Sequence, residues 1–200
     1  MNLPNKLTMF RIMLIPVIII ISLISSLQEI FLFSSVTVGN FIILIIFCVA
    51  SFTDFLDGNI ARKRNLVTDF GKFMDPLADK LLVISTMIIL LEQGKFQAFN
   101  YGLGFVLIII IAREFIVTGI RLLAVQKNIV IAASSLGKVK TISQIFMIII
   151  LLLECFPITL FKGDSQDITS LVVISIAGLF TLVSGIDYFM KNKELILKSK

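Results

Sequence analysis

Four aspartates are the residues of this chain best suited to chemistry. Asp54 and Asp57 are three positions apart, and Asp75 and Asp79 are four apart. At 3.6 residues per turn, each pair lies on one face of a helix. The chain has no histidine, so metal binding or proton transfer must depend on carboxylates. Clustered carboxylates favour hard divalent cations, here Mg²⁺ or Mn²⁺, and two such ions roughly 3.5–4 Å apart are a common device for phosphoryl transfer.

Small residues accompany these aspartates. Gly58 and Ala61 follow the first pair, and Gly71 lies on the predicted loop before the second. A position without a large side chain lets a ligand approach the backbone closely. The alternative is that such residues only allow membrane helices to pack. Asp69 lies outside the pattern and is predicted to be a solvated loop residue.

Written as D-x2-D-G-x2-A-R-x8-G-x3-D-x3-D, residues 54–79 resemble the signature of the CDP-alcohol phosphotransferase family, with every defined position filled. In that family the first three aspartates hold a dinuclear metal centre, which by position implies Asp54, Asp57 and Asp75 as ligands here. The fourth, Asp79, would complete the metal site and act as general base for the acceptor hydroxyl. The resemblance also implies a homodimer.

The same resemblance implies a binding site for the CDP-linked lipid, CDP-diacylglycerol. The signature residues concerned are Gly58, Ala61, Arg62 and Gly71. The three small residues would line the cytidine pocket, and the arginine would face the diphosphate. Thr8 and Arg11, in the segment PNKLTMFR, resemble an N-terminal element near the nucleotide. For these two, anchoring at the membrane interface is the alternative.

A second group of charged residues predicts the kind of acceptor. Arg113 and Arg121 interrupt an apolar run, and Lys138 and Lys140 open the next one. Charges within a membrane helix usually face a protein interior or a wet cavity, and guanidinium groups bind phosphate in a bidentate manner. These four cations therefore favour a phosphorylated acceptor. Alternatively, Glu114 pairs with Arg121, seven positions away, and the lysines only mark orientation.

The segments AREFIVTGIRLLA and SSLGKVKT are similar to the bacterial phosphatidylglycerophosphate synthase branch of the family. This resemblance implies sn-glycerol 3-phosphate as acceptor, with phosphatidylglycerophosphate and CMP as products. Inositol phosphate, or phosphatidylglycerol in cardiolipin formation, remains an alternative acceptor.

The elements that must position these residues are predicted to be membrane helices in a single domain, residues 1–200. The chain is 58% hydrophobic and only 16% charged, whereas soluble domains carry roughly 25% charged residues. A span needs ~20 apolar residues. Six spans are predicted, near 9–27, 38–61, 74–92, 100–125, 137–156 and 169–190. The polar, basic segment Met1–Arg11 is predicted to lie along the interface before the first span.

Orientation follows from the basic residues. The loops predicted on one side contain only Lys95 and Lys162, and the opposite side collects the other sixteen. The positive-inside rule then places both termini and the aspartates at the cytoplasmic face of the cell membrane. The connection Lys63–Met74 would make two spans antiparallel neighbours, so that the four carboxylates converge in a cavity open to the cytoplasm.

Other classes of function fit less well. A cation-coupled transporter usually carries its carboxylates near the midplane, between inverted repeats, and no repeat is visible here. A membrane prenyltransferase also uses aspartates and Mg²⁺, but its aspartate motifs are typically far apart. The basic excess indicates anionic lipid headgroups, not nucleic acid.

Cys48 and Cys155, which lie in apolar runs without a CxxC partner, are interpreted as small buried hydrophobes.

Overall fold

The structure is a computed structural model that describes residues 3–33, 35–63, 69–126, 129, 134–161 and 163–197. Within these ranges the chain is mainly helical. The helices are α1 (Leu3–Leu23), α2 (Ser25–Glu29), α3 (Val38–Lys63), α4 (Asp69–Glu92), α5 (Gly104–Gln126), α6 (Ser135–Leu152) and α7 (Ser165–Leu197). The prediction of an all-helical fold is confirmed at this level.

Extended structure is confined to short antiparallel pairs in the described part of the chain. Strand β1 (Phe31–Phe33) pairs with β2 (Val36–Thr37), and β3 (Gln97–Ala98) pairs with β4 (Tyr101–Gly102). A single 3-10 turn is described at Ile158–Leu160. These pieces connect helices and form no closed sheet.

Each of the six long helices overlaps one of the six predicted spans, but they differ in their suitability for a membrane. By length and composition, three stretches of the described residues could cross one: Asn5–Leu23, Ser135–Leu152 and Ser165–Lys193. A shorter apolar helix is found at Val38–Thr53, the part of α3 whose side chains the structure describes. The six-span count and the orientation therefore stay predictions.

The start of α4, which bears on the candidate site, differs from prediction. Helix α4 begins at Asp69, so Asp69 and Gly71 lie on its first turn and the prediction of a loop there is wrong. A single glycine costs a helix only about 1 kcal/mol, and an aspartate at the N-terminus interacts favourably with the helix dipole. Residues 64–68 of the predicted connection lie outside the described residues.

The predicted interfacial segment at the N-terminus is also wrong as a separate element, because α1 runs without interruption from Leu3. Its polar residues Asn5, Thr8 and Arg11 are buried. They recur every three positions and so share one face of the helix. A polar face of this kind is turned towards other protein, and it belongs to the same helix as the apolar residues that follow it.

The chain divides into two compact units. The first comprises Met1–Gln93 and Ile149–Leu160, and the second comprises Gly94–Ile148 and Phe161–Lys200. In the first, α1 packs against both α3 and α4, and α3 also contacts α4. In the second, α5 packs against α7, and β3 contacts α7 as well. The aspartates thus belong to the first unit, and the cations of α5 and α6 belong to the second.

Candidate active site

The aspartates are carried by two helices of the first unit. Asp54 and Asp57 lie in the last three turns of α3, and Asp75 and Asp79 lie in the first three turns of α4. The backbone is helical at both places, as the spacings of three and four residues predicted. Asp79 is half-buried and takes part in a polar interaction. The side chains of the other three aspartates lie outside the described residues.

The remaining signature residues are placed by their helices alone. Gly58, Ala61 and Arg62 lie on α3, and Gly71 lies on α4. Their surroundings fall outside the described residues. Their assignment to a pocket for the CDP-linked lipid accordingly stays a prediction.

Helix α1 holds the segment of α3 that leads into the first aspartate pair. The side chain of Arg11 is fully buried, and its Nε donates to the Ala50 carbonyl oxygen at 3.3 Å. The Thr53 hydroxyl donates to the same oxygen at 2.8 Å. Burying a guanidinium is costly unless it is hydrogen-bonded, so this contact fixes the register of α1 on α3 one turn before Asp54. Thr8, also fully buried, lies one turn earlier on α1.

The chemistry of the donor set fits a divalent metal. All four signature acids are carboxylates, which are hard oxygen ligands of the kind that Mg²⁺ and Mn²⁺ take. Both helices that carry them pack on α1, so the two pairs belong to one compact unit. Within the described residues, which include the side chain of Asp79 but not those of its three partners, no group of three or more acidic, histidine or cysteine residues could hold a metal. The fit therefore rests on residue type and on the placement of the backbone.

The cations of the second unit surround a buried carboxylate. Glu114 is 7% exposed. Its Oε1 accepts from Nη1 of the neighbouring Arg113 at 3.2 Å and forms an ion pair with Nζ of Lys140, on α6. Lys140 is itself buried, whereas Lys138 is exposed. Because a charge inside a protein or membrane is costly unless it is paired, this triad explains how three ionised groups are tolerated there.

Both arginines of α5 also reach α7. Nη2 of Arg113 donates to the buried hydroxyl of Ser184 at 2.7 Å. Nε of Arg121 donates to the hydroxyl of Tyr188 at 3.3 Å, and its guanidinium carbon lies 5.7 Å from the centre of the tyrosine ring. Among the described residues, Nε of Arg113 is buried without a hydrogen-bond partner. One donor on this guanidinium thus has its hydrogen-bonding capacity unused by the described residues.

Sequence reasoning did not identify Ser184 and Tyr188. They are four positions apart on α7 and so share a face of it, which was the available signal. It is a weak one, because hydroxyls in apolar helices often bond to their own backbone, as the Thr181 hydroxyl does to the Ala177 carbonyl at 2.7 Å.

Comparison with known proteins gives a consistent picture. The family model described as CDP-alcohol phosphatidyltransferase matches residues 1–183. Three curated relatives carry the name CDP-diacylglycerol–glycerol-3-phosphate 3-phosphatidyltransferase. The Bacillus subtilis protein is 43% identical over 99% of this chain and 98% of its own length. The Rickettsia felis protein is 38% identical, covering 96% of both chains. The Haemophilus influenzae protein is 30% identical over 98% of this chain and 96% of its own.

Proposed function

Because the chain belongs to the CDP-alcohol phosphatidyltransferase family, we propose that it transfers the phosphatidyl group of CDP-diacylglycerol to sn-glycerol 3-phosphate. The products are phosphatidylglycerophosphate and CMP, and the reaction belongs to the synthesis of anionic phospholipids. The relatives named for this reaction span almost the whole chain and are themselves almost wholly covered by it, which supports the assignment of both substrates.

The observation that carries the choice of acceptor is the charged cluster of the second unit. Arg113 and Lys140 share one carboxylate, that of Glu114, so this triad has a net charge of +1, and Arg121 brings the cluster to +2. A phosphate monoester carries about −1.5 to −2 at neutral pH. Its charge matches that of the cluster, and one of its oxygens would satisfy the donor left on Arg113. A neutral acceptor would leave the positive charge uncompensated. Lys138, the exposed cation at the start of α6, lies outside this ion-paired cluster. We include it as a further acceptor-binding residue, which raises the formal charge of the whole site to +3.

The transfer itself is a substitution at phosphorus. The acceptor hydroxyl forms a new P–O bond to the phosphorus that bears diacylglycerol, and the P–O bond to CMP breaks. Asp79 accepts the proton of the attacking hydroxyl. The family resemblance supports this role, since the fourth aspartate of the signature is the general base. Asp54, Asp57, Asp75 and Asp79 would together hold Mg²⁺ or Mn²⁺, which when bound supplies charge neutralisation of the diphosphate and of the departing CMP.

The nucleotide end of the donor is assigned to the first unit. Gly58, Ala61 and Gly71 would allow close approach of the cytidine to the backbone, and Arg62 would face the diphosphate. The buried face of α1 supports a role for Thr8 and Arg11 in the same region. Arg11 fixes α3 directly before the metal ligands, so its effect on donor binding includes holding that helix in place.

We further propose that all six long helices cross the cell membrane, namely α1, α3, α4, α5, α6 and α7. Both termini and the active site then lie at the cytoplasmic side. We also propose that the protein is a homodimer, as the family resemblance implies. Each of these helices has at least 18 residues, and the distribution of basic residues supports the orientation.

Cysteine labelling tests the orientation. In a variant whose two cysteines are replaced by serine, a cysteine at Asn100 should react with an impermeant reagent from outside intact cells, and one at Asn192 should not. The reverse pattern would invert the proposed orientation.

The function is tested by CMP release from CDP-diacylglycerol by the purified protein with Mg²⁺ or Mn²⁺. Glycerol 3-phosphate, inositol phosphate, phosphatidylglycerol and serine are offered in turn. Release with glycerol 3-phosphate alone is expected. Release with a different alcohol alone would overturn the acceptor and retain the family chemistry. Absence of release from folded protein would favour transport or prenyl transfer.

A further inference from the structure

Helices α5 and α7 approach each other closely at two equivalent levels. A Cβ added to Gly178 would lie 2.8 Å from Cγ1 of Val106, and one added to Gly185 would lie 3.0 Å from Cγ of Arg113. The two glycines are seven residues apart, and so are their two neighbours on α5. Small residues at such positions let membrane helices pack backbone to side chain. The stem of Arg113 therefore lies directly against the backbone of α7.

The head of Arg113 is held as well as its stem. Its Nη2 lies 2.7 Å from the Ser184 hydroxyl, which is fully buried, and its Nη1 bonds to Glu114. Hydrogen bonds to a charged group are short and strong compared with neutral ones. With contacts at the stem and at two nitrogens, the guanidinium has little freedom to change its position.

Tyr188 holds the side chain of Arg121 in position in a similar way. Its hydroxyl accepts from Nε of Arg121, and its ring lies within cation–π distance of the guanidinium. The ring is held in turn by burial among Val117 and Ile120. The contact thus places an exposed, flexible side chain against a buried ring.

The spacing of the contacts brings the two guanidinium groups towards each other. Arg113 and Arg121 are eight residues apart on α5, a rise of about 12 Å. Their anchors Ser184 and Tyr188 are four residues apart on α7, a rise of about 6 Å. A tyrosine in a helix also leans towards the N-terminus of that helix, which places the Tyr188 hydroxyl nearer to Ser184. The arginine heads are therefore drawn together on one turn of α7.

The chemistry of the anchors is suited to an anion site. A serine or tyrosine hydroxyl orients a guanidinium without neutralising it, whereas a carboxylate in the same place would cancel the charge that attracts phosphate. Among the ion pairs of the described residues, the carboxylate that lowers the charge of the cluster is that of Glu114, which Lys140 shares.

We propose that one turn of α7 determines the acceptor specificity of this chain. Ser184, Gly185 and Tyr188 are positioning residues that fix Arg113 and Arg121 where the acceptor phosphate binds. The inference rests on the proposed function, and it adds a helix that the family signature does not include.

The test compares two pairs of variants on the same helix. Ser184→Ala and Gly185→Ala disturb the arginine contact. Their matched controls are Thr181→Val and Gly178→Ala. Thr181→Val removes a buried hydroxyl, 3.0 Å from Nε2 of Gln144, and Gly178→Ala adds a methyl group against Val106 instead of Arg113. For each, the KM for glycerol 3-phosphate, the KM for CDP-diacylglycerol, kcat and the thermal unfolding midpoint are measured in detergent, the last with and without glycerol 3-phosphate.

Ser184→Ala is expected to raise the KM for glycerol 3-phosphate about tenfold, as loss of one charge-assisted hydrogen bond would. Gly185→Ala is expected to raise it by a similar factor, because the added methyl group displaces the stem of Arg113. The KM for CDP-diacylglycerol should stay within about twofold of the wild-type value. The two variants should also lose most of the rise in unfolding midpoint that glycerol 3-phosphate causes. The controls should lower the midpoint and leave the acceptor KM unchanged.

Equal increases of the acceptor KM in the controls and in the Ser184 and Gly185 variants would overturn the proposal, because they would show that α7 acts only through general packing. Equal increases of both KM values would do the same. Failure of the proposed function would look different: the wild-type protein would then neither release CMP with glycerol 3-phosphate nor be stabilised by it. The ligand-induced shift in midpoint requires no turnover, so it separates the two failures.

Discussion

Glu114→Gln is the substitution whose effect can be worked out most fully. The side chains of Glu114 and Lys140 are 9% and 7% exposed, and that of Arg113 is 11% exposed. Removing one member of a buried ion pair typically costs about 3–5 kcal/mol, because the remaining charge loses its compensation. Glutamine has nearly the same shape as glutamate, so the expected loss of stability is mainly electrostatic. We therefore expect Glu114→Gln to lower the free energy of unfolding by about 3–5 kcal/mol.

The same variant should respond more strongly to the acceptor than the wild-type protein does. A bound phosphate would supply the negative charge that Glu114 no longer provides. Thermal unfolding in detergent, with and without glycerol 3-phosphate, measures both effects. The double variant Glu114→Gln, Lys140→Met removes both charges of the pair and should recover most of the lost stability. A Glu114→Gln protein as stable as wild type, or a double variant less stable than the single one, would refute the account of this cluster.

Three further predictions concern the active site and its supports. Asp79→Asn should reduce CMP release to background while the protein still inserts and folds, and Asp69→Asn, a change outside the signature, should keep nearly full activity. Arg113→Ala should raise the KM for glycerol 3-phosphate by about 10- to 100-fold, as loss of a charged hydrogen-bond donor does, and should change the KM for CDP-diacylglycerol little. Arg11→Met removes the bond to the Ala50 carbonyl. It should lower the unfolding free energy by about 1–3 kcal/mol and raise the KM for CDP-diacylglycerol. Thermal unfolding in detergent and CMP release measure the two effects.

Much of the helical framework could be predicted from the sequence because each long helix is an apolar run of the right length. The starts and ends were less predictable, since they depend on local contacts. The start of α4 at Asp69 depends on a favourable interaction of an aspartate with the helix dipole that is comparable in size with the penalty of about 1 kcal/mol for Gly71, so the sequence alone does not decide the balance. The N-terminal segment was misread because Thr8 and Arg11 are polar, and a polar residue is expected at an interface unless a neighbouring helix buries it.

The partners of the charged residues could not be predicted from spacing alone. Glu114 and Arg121 are seven residues apart and would fit an ion pair on one helix face. In the structure Glu114 bonds to Arg113 and Lys140, and Arg121 lies on Tyr188. Which helices are neighbours decides such contacts, and one sequence contains no direct record of that. The residue types that do the chemistry were visible, and the residues that hold them in place were not.

The charges of α5 show why one predicted span is not a simple apolar one. Helix α5 carries Arg113, Glu114 and Arg121 within an otherwise apolar run. The two arginines that lower its apolar character are the ones assigned to phosphate binding. Charges at such positions are retained only where they are paired or functional, and on α5 the pairing is observed directly. This helix is therefore less apolar than an ordinary membrane span at the residues that the proposed reaction requires.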